Sequence, residues 1–476
     1  MVFSSPVFLF LFLPLVLLVV LVLRDRKQQN VALLVASLFF YSWGEGAYLL
    51  LMLALVLVNY LCALARERWA TGSSSVIIAV VLNLGALLWF KYANFLVASL
   101  NVVLAKVGAE PLHLDPVHLP IGVSFFIFQG LSYVIDVHRG QASAQGSPGT
   151  VALYISLFPQ LIAGPIVRYR DVAEQIGSRS LSPPLFASGI RRFVVGLAKK
   201  VLIADQVARI AEPIFSLSST ELSPAVAWLG LVAYAVQIYF DFSGYSDMAI
   251  GLGRMFGFRF LENFNRPYIA LSIREFWQRW HISLSSWFRD YLYIPLGGNR
   301  RGPIRTYLNL FIVFFLTGLW HGASWNFVVW GLMHGLFMVF ERAGLGKLLA
   351  RSPKPLAGAY TLLIVLLAWV FFRVENITEA WHYVLALFDT SVHSDLSYDP
   401  LQFITRTTGL AMLLGVLGSM NVHEWIARVV RINASGDRIG PGLRGGIEVV
   451  GIAVLMLLVG MEVSSSTFSP FIYFRF

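Results

Sequence analysis

Apolar runs about as long as a bilayer is thick divide this chain, with short basic connections between them. A helix crossing the hydrocarbon core needs about 20 consecutive apolar residues. Runs approaching or reaching that length lie near 6–23, 30–43 (short), 46–65, 76–97, 117–137, 224–242, 306–320, 324–341, 357–373, 401–420 and 445–463. Hydrocarbon offers backbone N–H and C=O groups no partner, so each run must satisfy its own hydrogen bonds as a helix. Composition agrees: of 476 residues, 57% are hydrophobic and 13% charged, against about 25% charged in soluble domains. The expected fold is an all-α polytopic membrane bundle of roughly 11 spans. No polar stretch is long enough to bury a separate soluble core, so residues 1–476 are read as one integral membrane domain.

Several function classes fall away at this level. The only cysteine, Cys62, lies within the 46–65 run and permits neither an internal disulfide nor a thiolate cluster. No His-Glu-x-x-His pair or tight His/Asp grouping suggests a metal, and no glycine loop ends in Lys-Ser or Lys-Thr to hold a phosphate. The net charge of +10 is not a nucleic-acid footprint, because the basic residues sit between apolar runs, where the positive-inside rule accounts for them. The first run goes straight into Arg24, Arg26 and Lys27 without a small-residue cleavage site, so it reads as a retained span rather than a signal peptide. Basic groups at Arg24–Lys27, Arg66–Arg68 and Asp136–Gly140 follow the first, third and fifth runs. Alternation puts all three on the cytoplasmic side and the first residue outside. "RYR" at Arg168–Arg170, "RRF…AKK" at Arg191–Lys200 and "GGNRRGPIR" at Gly297–Arg305 are expected to face the cytoplasm too.

The segments near 150–167, 186–204 and 244–260 carry proline, glycine or several charges. They read as re-entrant or interfacial helices, which persist only where protein or a water-filled cavity satisfies their backbone. From Asp241 to His321, tryptophan, arginine, glycine and two histidines alternate with apolar residues. A lipid-facing helix does not tolerate that mixture, so the catalytic core is expected within about 150–342, lining a cavity.

His321 is the sharpest single feature. It ends a wholly apolar approach and lies near Gly318 and Gly322, where a backbone or a ligand can come close. An ionisable residue at membrane depth is expensive and suggests function; the competing reading is a core histidine hydrogen-bonded to a neighbouring helix. In "REFWQRWHISLSSWFRDYL", helical spacing puts Trp277, His281, Leu284 and Phe288 on one face. His281 is then either a site residue or the border of an interfacial amphipathic helix. His334, over 200° from His321 on an unbroken helix, reads as structural. Asp241 and Asp247 read as a proton relay or as caps at a broken helix. The arginines at 274, 279, 289, 300, 301 and 305 either hold the cytoplasmic boundary or bind the phosphates of an anionic carrier.

Several blocks together carry a family resemblance. "FWQRWHISLSSWFRDYLYIPLGG" and "TGLWHGASWNFVVWG" resemble the membrane-bound O-acyltransferase (MBOAT) family, in particular its bacterial alginate O-acetyltransferase type. "FPQLIAGPIVRYRD" (Phe158–Asp171), "DFSGYSDMAIGLGRMFGF" (Asp241–Phe258) and the ending "PFIYFRF" (Pro470–Phe476) belong to the same likeness, which covers nearly the whole chain. The resemblance implies a helical bundle around a central tunnel, with His321 as the catalytic residue and His281 at the family's second signature position. It also implies an acetyl-CoA donor as substrate with no bound cofactor, a periplasmic acetyltransferase partner beside polysaccharide export machinery, and an inner-membrane location. Donor or substrate contacts are then expected from Trp280, Arg289, Arg301, Trp320, Trp325 and Asn326. Two other classes fit the apolar bundle alone. A transporter or flippase predicts substrate movement without thioester hydrolysis; an export scaffold predicts that variants of both histidines keep activity.

Overall fold

A computed structural model describes residues 1–69, 72–162, 164–218, 220–389, 398–420 and 441–465. The "PFIYFRF" ending lies outside these. Among the described residues the secondary structure is helical, without strands. Seven helices among the described residues are long and apolar enough to cross a membrane: Tyr48–Arg68, Ser74–Lys106, Pro224–Met255, Pro303–His321, Trp325–Arg351, Lys354–Arg373 and Gly445–Ser465. Phe8–Val22 and Val123–His138 are shorter apolar helices. The expected run at 30–43 falls within the helix Arg26–Glu45, and the one at 401–420 contains the shorter helix Arg406–Ser419. Exposed Leu57, Leu61, Ile77, Val81 and Leu457 give these helices apolar outer faces, which suit lipid.

The chain forms two compact units. One comprises Met1–Phe193 with Met248–Leu261; the other comprises Val194–Asp247 and the described residues from Glu262 onward. Two buried amides within the first are matched to each other. Asn59 and Asn83, from the helices Tyr48–Arg68 and Ser74–Leu87, exchange two amide hydrogen bonds of 3.2 and 3.0 Å. Such pairing is what allows amides at membrane depth.

The second unit corrects one expectation. No break occurs at Asp241–Gly244, since Pro224–Met255 is one helix of 32 residues. Asp241 and Asp247 are therefore mid-helix residues, not caps. Lys199 and Lys200, in the segment 186–204 expected to be helical, are helical and are the partners of those aspartates. Lys200 Nζ lies 2.6 Å from Asp205 and 2.9 Å from Asp241, all three buried. Lys199 Nζ lies 2.7 Å from Asp247. Charges withdrawn from water must be paired, and the aspartates supply that need.

Candidate active site

The His321 region is built by a helical hairpin within the second unit. Pro303–His321 ends where Gly322 turns extended (φ −161°), and Trp325–Phe340 begins after Ser324 in the N-cap position. The two helices cross at glycines. A Cβ at Gly318 would meet the Phe327 carbonyl oxygen at 2.3 Å, and one at Gly331 would meet the Phe314 carbonyl oxygen at 2.3 Å. Small residues permit this backbone approach, as is usual between helices in lipid. The space beside Gly322 is filled by the Phe327 ring. Both glycines near His321 thus accommodate Phe327, which answers the question of whether backbone or ligand comes close there.

His321 is 2% exposed. Its ring centroid lies 4.8 Å from Trp330, 5.0 Å from Trp320 and 5.3 Å from Phe372, all near perpendicular. These edge-to-face contacts fix the imidazole plane. His281 completes the enclosure at 6.3 Å from His321 and 6.0 Å from Trp320. Two histidines 40 residues apart in sequence are thus neighbours.

His281 reaches that place by a route helical spacing does not anticipate. The expected continuous amphipathic helix is two short helices, Ile273–Arg279 and Ile282–Phe288, and His281 between them is left-handed at φ 45°, ψ 53°. A non-glycine residue there stores strain that surrounding structure must offset. The preceding segment does so: Asn265 N–H donates to the Arg279 carbonyl (2.8 Å) and Ile282 N–H donates to the Asn263 carbonyl (3.0 Å). The Ser272 hydroxyl caps the first short helix by accepting from Glu275 N–H. The Glu341 carboxylate accepts from Ile273 and Arg274 N–H at 2.6 and 3.1 Å, which places a negative charge at a helix N-terminus.

His281 lies outside the seven long apolar helices and is fully buried. Burial pushes its pKa down to about 3, so the ring is neutral at physiological pH. Its Nδ1 is 3.2 Å from Asn263 Oδ1, and its Nε2 has no hydrogen-bond partner among the described residues. The Phe242 ring packs edge-on against it at 4.7 Å.

The remaining expected residues separate into groups. Trp320 stands between the two histidines. Trp280 is buried but packs among Trp369 (5.0 Å), Phe264 (5.0 Å) and Phe276 (5.6 Å). Asn326 is buried and its Nδ2 donates to the Val374 carbonyl, tying the start of its helix to the end of Lys354–Arg373. Trp325 is exposed. Arg289 is exposed and paired with the adjacent Asp290 at 2.7 Å, and Arg301 is exposed with its side chain against Gly297. His334, set aside on the assumption of an unbroken helix, belongs to the returning arm of the hairpin. It packs against Trp330 at 5.2 Å, on the same indole that touches His321. Asn263, Trp330 and the pairing of Lys200 with Asp205 and Asp241 escaped the sequence reading; the last had a signal, two lysines and three aspartates spread through otherwise apolar text.

Fold and site together define a polytopic helical membrane protein whose buried chemistry centres on two adjacent buried histidines. Residues 35–377 match MBOAT, the membrane-bound O-acyltransferase family, and the chain belongs to that family: it is an O-acyltransferase. It is 42% identical to a probable alginate O-acetylase AlgI of Azotobacter vinelandii, over 100% of both chains. It is 47% identical to the protein of the same name from Pseudomonas aeruginosa, over 82% of this chain and 75% of that one. A peptidoglycan O-acetyltransferase of Helicobacter pylori is 34% identical over 93% of this chain and 91% of its own.

Proposed function

We propose that this O-acyltransferase takes an acetyl group from acetyl-CoA at the cytoplasmic side of a bacterial inner membrane. The acetyl group then crosses toward the periplasm for O-acetylation of an exported polysaccharide, alginate. The polymer is too bulky to reach a buried imidazole, so a periplasmic acetyltransferase partner, working with the export machinery, makes the final transfer. The full-length likeness to proteins named as alginate O-acetylases supports this polymer over peptidoglycan, whose named relative is less similar. The observation that carries the chemistry is the enclosed pair His281 and His321, 6.3 Å between ring centroids.

In this reading donor and acceptor meet at His321 through a passage in the bundle. His321 takes the proton of the incoming hydroxyl as its oxygen bonds to the thioester carbonyl carbon. The tetrahedral oxyanion needs a fixed N–H donor. Trp330 suits this role: its indole Nε1 is a buried donor with no hydrogen-bond partner among the described residues, on a ring 4.8 Å from His321. Collapse breaks the carbon–sulfur bond, and the departing thiolate takes the proton from the imidazolium. Exposed Arg289 and Arg301 are suited to the donor's phosphates.

The test is His321→Ala in cells producing the polymer. Acetylation is expected to disappear while the protein stays inserted at normal abundance. Normal acetylation in that variant removes His321 from the mechanism. Thiol release from acetyl-CoA by the purified protein separates acyl transfer by this donor from simple transport.

A further inference from the structure

Asn263 sits at the centre of a hydrogen-bond cluster around His281, and the cluster fixes which nitrogen of that ring carries the proton. The orientation of the Asn263 amide follows from Ser283. The Ser283 backbone N–H can only donate, and it points at Asn263 Oδ1 from 3.2 Å; an amide nitrogen there would oppose donor to donor. The Ser283 hydroxyl donates to the same oxygen at 2.8 Å. On the other side, Asn263 Nδ2 donates to the Ser246 hydroxyl at 3.0 Å. The Ser283 backbone N–H thereby assigns the amide, and the Ser246 hydroxyl accepts on the other side in agreement with it.

His281 Nδ1 faces that same oxygen at 3.2 Å and the Ser283 hydroxyl oxygen at 3.5 Å. The serine proton is already given to Asn263, so Nδ1 meets acceptors on both sides. A bare Nδ1 lone pair would oppose them. We infer that Asn263 is a positioning residue for the reaction, holding His281 as its Nδ1–H tautomer so that Nε2 presents a lone pair to the reaction centre.

The consequence is a division of labour between the two histidines, and it rests on the acyl-transfer reading above. With Nδ1–H committed to Asn263, a neutral His281 has no N–H left to offer an oxyanion. It accepts instead, orienting the incoming hydroxyl. The left-handed backbone at His281 serves this end: Asn263 holds the next two residues as well, through its carbonyl to Ile282 N–H and its side chain to Ser283. One residue therefore sets both the ring's position and its proton.

Two measurements on the full-length protein in lipid nanodiscs test this. The first reads the tautomer by nitrogen NMR on histidine-labelled protein, with the His281 signals assigned by their loss in His281→Gln. A protonated Nδ1 and a bare Nε2 are expected, shifting toward a tautomer mixture in Asn263→Leu. A protonated Nε2 in the unaltered protein, or no change in Asn263→Leu, overturns the assignment, whatever the enzyme's substrate proves to be.

The second reads acetyl transfer. Asn263→Leu is expected to lower kcat about 100-fold with KM for the donor unchanged. Asn263→Asp keeps the acceptor and is expected to recover most of the rate. Its carboxylate favours the imidazolium, so the acid limb of the pH profile should move to higher pH. Equal loss in Asn263→Asp and Asn263→Leu, with both proteins folded, refutes a positioning role. Absence of acetyl transfer in the unaltered protein beside the expected NMR tautomer would count against the donor reading alone.

Discussion

At residue 281, burial has a thermodynamic consequence apart from catalysis. The imidazole pKa falls from 6.5 in the open chain to about 3 in the fold, chiefly through desolvation. Between those values the unfolded chain binds a proton that the folded one does not, so the contribution to stability is complete above pH 6.5 and declines as pH falls toward 3. The slope is about 1.4 kcal/mol per pH unit inside that window. His281→Gln should therefore lose Tm less steeply than the unaltered protein as pH falls from 6.5 to 4.5. Parallel Tm curves would mean that the ring does not stay neutral in the fold. The sequence marked this histidine as a candidate from its surroundings, but its strained backbone and its proton are set by Asn263, 18 positions earlier, which periodicity does not link to it.

Among the elements, the hairpin Pro303–Phe340 and the helix Pro224–Met255 carry the site. Gly318 lies one turn before His321 and accepts the Phe327 backbone at a distance no Cβ permits. Gly318→Ala should push the two arms apart and move the imidazole out of its ring of tryptophans. Acetylation is expected to drop at least tenfold, because displacements of about 1 Å cost rates of this order or more. An unchanged rate with intact protein would show that hairpin spacing is not what positions His321. The Lys200 cluster makes a different demand. One buried ammonium serves two aspartates, Asp205 and Asp241, and desolvation raises Asp205 while Lys200 pulls it back. Lys200→Met leaves both carboxyls without their cation and should cost about 3–5 kcal/mol, seen as a lower Tm. Adding Asp205→Asn and Asp241→Asn should recover part of it; no recovery would assign the loss to packing rather than charge.

For the molecule as a whole, the directional expectation rests on charge placement. Arg24–Lys27, Arg66–Arg68 and the connection at Arg139 should all lie on the cytoplasmic side. In a protein whose only native cysteine is replaced by Cys62→Ser, single cysteines introduced at Gln28, Trp69 and Gly140 should react with a membrane-impermeant thiol reagent only after the membrane is opened. Labelling of all three in sealed cells would reverse the orientation and, with it, the side from which the donor enters.

The sequence by itself determined the solvent and the class. Long apolar runs admit only self-satisfied helices in hydrocarbon, and the expected runs coincide with helices for that reason. It also marked His321 and His281, because an ionisable ring among apolar and aromatic residues stands out against its background cost. What the tertiary structure decided was association. Spacing along one helix could not foresee the break at Trp280–His281, the return of His334 against Trp330, or the burial of Lys200 between two aspartates. Each depends on groups distant in sequence supplying a hydrogen bond, a ring face or a countercharge, and periodicity encodes only what a residue does within its own helix.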